Sequence, residues 1–250
     1  MAAWNSLHSI LLPDAFEARR TYRARATAIW NHLGWATDEV PNGVYDGRQS
    51  LKTFWFECNW QDFFDLLEFA VEMLAPDYQG MRAEWFKSQN ELLEEQGCAY
   101  RFISQELAPI TNPHEMGAVA AAADSSIDAV SMHIRGALEQ LPPNPKASTR
   151  NSIKESISAV EATLKHLTNS PSATLGEGLK AFEAKYGPLH DSMRRGFEKL
   201  YAYTNGPEGI RHALVDGAKE VTVDDARLML IQCSAFANYL IAVAAASAKT

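Results

Sequence analysis

An arginine beside a histidine, directly after a glycine turn, is the arrangement in this chain best suited to chemistry: Gly206-Pro207-Glu208-Gly209-Ile210-Arg211-His212-Ala213-Leu214. The guanidinium of Arg211 stays charged at any working pH and can hold a phosphate oxygen through two parallel donors, while His212 titrates near neutrality and can move a proton. Such a pair can cut or grip a phosphodiester. RNA brings its own nucleophile, the 2′-hydroxyl. A cleaving site therefore needs a group to accept that proton, a group to protonate the leaving oxygen and a cation for the developing phosphorane charge. Arg211 would carry the charge and His212 the protons. The two proton transfers are separate tasks, which two His212 side chains meeting across a dimer would divide. A helix starting near Glu208 would add free backbone amides for phosphate. The plain alternative is a surface arginine beside a helix-terminal histidine.

A second cluster, Arg150, Asn151 and Glu155, falls at the start of a long helical pattern. Arg150 can hold a neighbouring phosphate, and Glu155 can orient an imidazole or fix Arg211; the alternative is a helix start with an ion pair of Glu155 to Lys154 or Arg150. His190, after Gly187-Pro188, is a third candidate proton carrier or a surface histidine. Arg194-Arg195 can reach an RNA backbone or simply decorate an exposed helix. His8, His32, His114, His133 and His166 lack the spacing of a metal site, so neither metal nor cofactor is expected. Gly176-Glu177-Gly178 lacks the glycines and lysine of a phosphate loop. The aromatic runs Phe54-Trp55-Phe56 and Trp60 to Phe64 fit a core better than a base-stacking surface, because the half that holds them is acidic.

The elements that position these residues read as mainly helical. Leu141-Pro142-Pro143-Asn144-Pro145 cannot continue a helix, which sets a domain boundary there and divides the chain into 1–143 and 144–250. In the first domain Tyr22–His32, Trp60–Leu74 and Met81–Glu95 have helical spacing, Cys98–Ile103 and Glu106–Ile110 form a small β-hairpin around Ser104-Gln105, and Asn112-Pro113-His114-Glu115 opens a helix that breaks near Asp124 and continues to Leu138. In the second, Ile153, Ile157, Val160, Leu164 and Leu167 mark one helix face. Leu175–Lys185 and Leu189–Tyr203 follow, and Thr222-Val223-Asp224-Asp225 starts an apolar last helix fit for the centre of a bundle or a dimer seam.

The 250 residues are 46% hydrophobic and carry a net charge of −8, which argues against indiscriminate nucleic-acid binding. Residues 1–145 hold 10 Lys+Arg and 20 Asp+Glu, while residues 146–250 hold 13 and 11, so the C-terminal part is the better host for an anion. Cys58, Cys98 and Cys233 are far apart in sequence and suit a reducing cytoplasm. No secretion signal is read at the N-terminus, and the polar residues within Met229–Ala246 point to a buried helix, not a membrane span.

Several blocks are familiar. Arg150-Asn151-Ser152-Ile153-Lys154-Glu155-Ser156-Ile157-Ser158-Ala159-Val160-Glu161, Lys199-Leu200-Tyr201-Ala202-Tyr203, Gly209-Ile210-Arg211-His212-Ala213 and Asp225-Ala226-Arg227-Leu228-Met229-Leu230 resemble the helical C-terminal module of AbiJ-type abortive-infection proteins, a branch of the HEPN superfamily. Ile29-Trp30-Asn31, Asp65-Leu66-Leu67-Glu68, Asn90-Glu91-Leu92-Leu93-Glu94, Ala99-Tyr100-Arg101-Phe102 and Pro109-Ile110-Thr111 resemble a fourth class of AbiJ N-terminal domain. The resemblance implies a bacterial antiviral defence protein with a HEPN-like bundle that forms a homodimer and cleaves RNA without metal. The HEPN motif places a histidine several residues after Arg and a polar residue; here Arg211-His212 is followed by Val215, Asp216, Gly217, Ala218 and Lys219. Two further readings therefore stay open: an inactive module that binds RNA or assembles with proteins, and an antitoxin-like partner of another defence protein.

Overall fold

The computed structural model describes residues 12, 18–72, 79–142, 144, 147–205 and 221–247, and the chain divides into two compact units, Met1–Leu107 and Ala108–Thr250. It is mainly α, with one two-stranded sheet among the described residues.

The first unit holds α1 (Ala18–His32), a 3-10 turn (Thr37–Glu39), α2 (Val44–Glu57), α3 (Trp60–Glu72), α4 (Gln79–Glu95), β1 (Arg101–Ile103) and β2 (Glu106–Ala108). Helix α1 buries Tyr22, Ala26, Ile29 and Trp30, one face at helical spacing. These meet Leu51 and Trp55 of α2, Phe64 and Leu67 of α3, Trp85 of α4 and Phe102 of β1 in one core. The aromatic runs are thus largely interior, although Phe56 and Trp60 are exposed. Helix α2 has no counterpart among the helices expected from sequence. Gly47 interrupts its pattern, and the reason lies in packing: a Cβ there would come within 2.5 Å of the Tyr22 hydroxyl, which sits 2.9 Å from the carbonyl oxygens of Pro41 and Gly43.

The hairpin forms where the sequence placed it, with shorter strands. Ser104 and Gln105 both take positive φ, 46° and 85°, as the tight two-residue turn of a right-twisted hairpin demands. Two strands alone are marginal in water, and two helical side chains tie them down. Asn90 accepts from the Phe102 N–H at 2.7 Å and donates to its carbonyl at 3.0 Å, while Glu68 accepts from the Leu107 N–H at 2.9 Å.

The second unit holds α5 (Pro113–Ala123), α6 (Asp128–Glu139), α7 (Thr149–Thr168), α8 (Leu175–Tyr186), α9 (Asp191–Asn205) and α10 (Val223–Ser247). Asn112 caps α5 through the His114 and Glu115 amides, with Pro113 at the first helical position. Thr174 and Glu177 cap α8 reciprocally. Helix α7 is central: α6, α8 and α10 pack on it, and its buried residues alternate Ile153, Ile157, Val160 and Leu164 with Ser152, Ser156 and Thr163. Each of those hydroxyls is satisfied by a main-chain carbonyl, of Ala137, Ser152 and Ala159 in turn, at 2.7 to 2.8 Å. Helix α10 is apolar and long enough to cross a bilayer by length and composition, and it buries Met229, Leu230, Cys233, Phe236, Ala237 and Leu240 within this unit.

The compact units divide at Leu107–Ala108, not at the proline-rich stretch near residue 143 where the sequence sets the boundary. Helices α5 and α6 bury Val119, Ala122, Val130, Ile134 and Ala137 among the C-terminal helices, so both belong to the second unit.

Candidate functional site

The start of α7 is built by short local bonds. The Ser148 hydroxyl accepts from the Asn151 amide at 3.4 Å, and the Thr149 hydroxyl donates to the Val221 carbonyl at 3.0 Å. Arg150 is half-buried beside them, close enough to the exposed Tyr203 of α9 to act on its hydroxyl. Burial pushes the Tyr203 pKa up, the Asp225 carboxylate adds to that, and Arg150 draws it back. Asp225 is fixed in turn by Thr222, whose hydroxyl donates to it at 2.8 Å while accepting from the Asp225 amide at 3.1 Å.

Arg150 and Asp225 therefore lie within electrostatic reach of Tyr203, near where the described chain leaves α9 at Asn205 and resumes at Val221. Arg211 and His212 belong to the intervening stretch and lie outside the described residues. Asn151 is exposed on the first turn of α7.

Glu155 is not part of that group. Five residues on, a helix has risen about 7.5 Å and turned well away from Arg150. Its carboxylate meets an imidazole that sequence reasoning did not select: His133 of α6, whose Nδ1 lies 2.7 Å from Glu155 Oε2. The Lys154 or Arg150 ion pair considered for Glu155 is replaced by this contact. A carboxylate on one ring nitrogen fixes the tautomer and the ring's aim, leaving Nε2 for other work. His133 lines an open groove of about 870 Å³ with Ser158, Glu161, Lys165 and His166. The signal for this pair is faint in sequence, because the partners are 22 residues apart and come together only through antiparallel packing of α6 on α7.

The first unit holds a similar-looking pair of another kind. His32 Nε2 lies 2.8 Å from Asp65 Oδ2, an ion-pair distance without hydrogen-bond alignment, and its ring stacks on Phe69 at 4.0 Å. That ring is a packing element.

His190 is exposed at the α8–α9 junction, where its carbonyl accepts the Met193 and Arg194 amides and so starts α9. Arg194 is spent on structure, with Asp191 at 2.8 Å and Glu198 at 2.7 Å. Its hydrogen bond holds the Asp191 carboxyl below the usual range. Arg195 pairs with Asp191 yet stays largely in solvent. No group of three or more His, Cys, Asp or Glu side chains is placed to hold a metal among the described residues.

The family model described as AbiJ N-terminal domain 4 matches residues 2–125, so the N-terminal part of the chain is a domain of that family. The AbiJ name associates it with abortive-infection defence. No curated protein and no solved structure matches the chain.

Proposed function

We propose that the chain is an abortive-infection effector whose C-terminal unit is HEPN-like and cleaves RNA without metal or cofactor, with Arg211 on the phosphate and His212 moving protons. The observation that supports this most is the place of Arg150. It sets a permanent cation at both ends of the stretch that carries Arg211 and His212, beside the Tyr203 hydroxyl. Two arginines can grip a phosphodiester, and an imidazole beside them can carry one of the two proton transfers that cutting needs.

The reading needs a second imidazole, and a homodimer through the C-terminal unit would supply it. A largely apolar groove of about 640 Å³ between α9 and α10, lined by Met193, Phe197, Leu200, Ala235, Phe236 and Tyr239, suits such a contact. In this reading the protein acts in the cytoplasm, without a membrane anchor, and the N-terminal domain triggers or directs it.

The absence of a second histidine between Val215 and Lys219 favours a second reading, a silent module that binds RNA or assembles with another defence-system protein as an antitoxin-like partner would. Purified protein incubated with tRNA and total RNA in chelator separates the two. Cleavage that falls at least 100-fold in Arg211→Ala and His212→Ala supports the enzyme. Undiminished cleavage by both variants removes the assignment, and binding without cleavage selects the second reading.

A further inference from the structure

At the C-terminal end of α2, Trp35, Ser50, Thr53, Phe54, Glu57 and Cys58 line an open cavity of about 520 Å³. Its hydrogen-bond character is one-sided. Ser50 and Thr53 donate their hydroxyl protons to the Asp46 and Gln49 carbonyls, both at 3.1 Å, and the Cys58 thiol is directed at the Trp55 carbonyl. Burial and the nearby Asp62 charge push the Cys58 pKa up and keep it a thiol. What these side chains can still offer a ligand is lone pairs. Glu57 adds a carboxylate in the last turn of α2, where no basic residue balances the negative end of the helix dipole. Glu57 has no ion pair among the described residues. Trp35 is braced nearly perpendicular to Trp30 and Phe54, at centroid distances of 5.0 and 5.4 Å, and supplies an aromatic wall.

An aromatic wall, a free carboxylate, acceptor-only hydroxyls and a helix C-terminus all favour one ligand chemistry: a flat or compact cation rich in N–H donors. We propose that this cavity receives the guanidinium of an arginine side chain from a partner protein, stacked on Trp35 and paired with Glu57. Residues 1–107 hold 9 Lys+Arg against 16 Asp+Glu, a net −7, which attracts a cationic segment and repels the phosphates of a nucleotide. This inference is independent of the ribonuclease reading.

The test uses the full chain with 15N-labelled tryptophan side chains, titrated with N-acetyl-arginine amide, N-acetyl-citrulline amide and guanosine monophosphate. The Trp35 indole resonance is assigned through Trp35→Phe. The expected result is a saturable shift of that resonance by the arginine amide alone, weakened at least 5-fold by Glu57→Gln, at a site on the surface where the variant keeps its fold, and weakened again by added salt. No shift at 50 mM arginine amide, equal binding by citrulline or by Glu57→Gln, or tighter binding of the nucleotide would each overturn the proposal.

Discussion

In the N-terminal unit Trp30, Trp35, Phe54, Trp55, Phe63, Phe64, Trp85 and Phe102 meet as tilted and T-shaped rings; in the C-terminal unit Ala122, Ala137, Ala159, Ala226 and Ala237 and the buried hydroxyls of α7 let helices run side by side. The two packings leave different kinds of space. Large rings at steep angles leave concave pockets with aromatic walls, such as the one beside Trp35. Small residues bring helices close and leave open grooves along their seams, where pairs such as His133 and Glu155 sit half-exposed.

Truncation in the C-terminal core is the most severe way to break this contrast. Phe182 is fully buried, so Phe182→Ala is expected to cost about 3–5 kcal/mol in urea unfolding. Overpacking should come next. A Cβ on Gly178 would lie 3.0 Å from Leu164 Cβ, at the base of a side chain that cannot swing away, and Gly178→Ala is expected to cost about 1–3 kcal/mol. Gly47→Ala in the aromatic unit should cost a similar amount by displacing the Tyr22 hydroxyl, and its effect should shrink in the Tyr22→Phe background, where only the 3.3 Å contacts with Leu12 and the ring of residue 22 remain.

Alkaline pH probes the buried thiol of α10 without mutation. Burial pushes the Cys233 thiol from its ordinary 9.0 up to about 12. Below pH 9 it is protonated folded or unfolded, and its contribution is fully present. Between pH 9 and about 12 only the unfolded state loses the proton, so stability falls with rising pH by at most about 1.4 kcal/mol per unit. Urea midpoints measured from pH 8 to 11 should fall with rising pH, and Cys233→Val should remove the share owed to Cys233 while that of Cys58, Tyr22, Tyr100 and Tyr203 remains. The smallest expected change is favourable: Gln105→Gly relieves a positive φ in the hairpin turn and should add about 0.5–1 kcal/mol.

The contrast also explains what the sequence disclosed. Helices α5 to α10 follow from caps and spacing, since Asn112-Pro113 and Thr222 with Asp225 are local signals whose bonds the structure contains. Helix α2 was illegible because Phe54-Trp55-Phe56 has no single helical face and Gly47 belongs to a tertiary contact with Tyr22. The compact units divide at another place than the prolines for a related reason: prolines report a local break, whereas only packing reveals that α5 and α6 join the later helices. At the candidate site, Arg150 was readable from its place at a helix start. The partner of Glu155 was not, because nothing local in α6 names His133 as the imidazole that α7 will meet.

If the proposed ribonuclease cuts RNA through the substrate's own 2′-hydroxyl, with Arg211 and His212 in attendance, the ends of the products will carry the signature of that chemistry. In chelator, the wild-type protein should leave 2′,3′-cyclic phosphate and 5′-hydroxyl termini, with no cut at a site carrying a single 2′-deoxy substitution and none by His212→Ala. Products bearing 5′-phosphate, or intact cutting at the 2′-deoxy site, would contradict it.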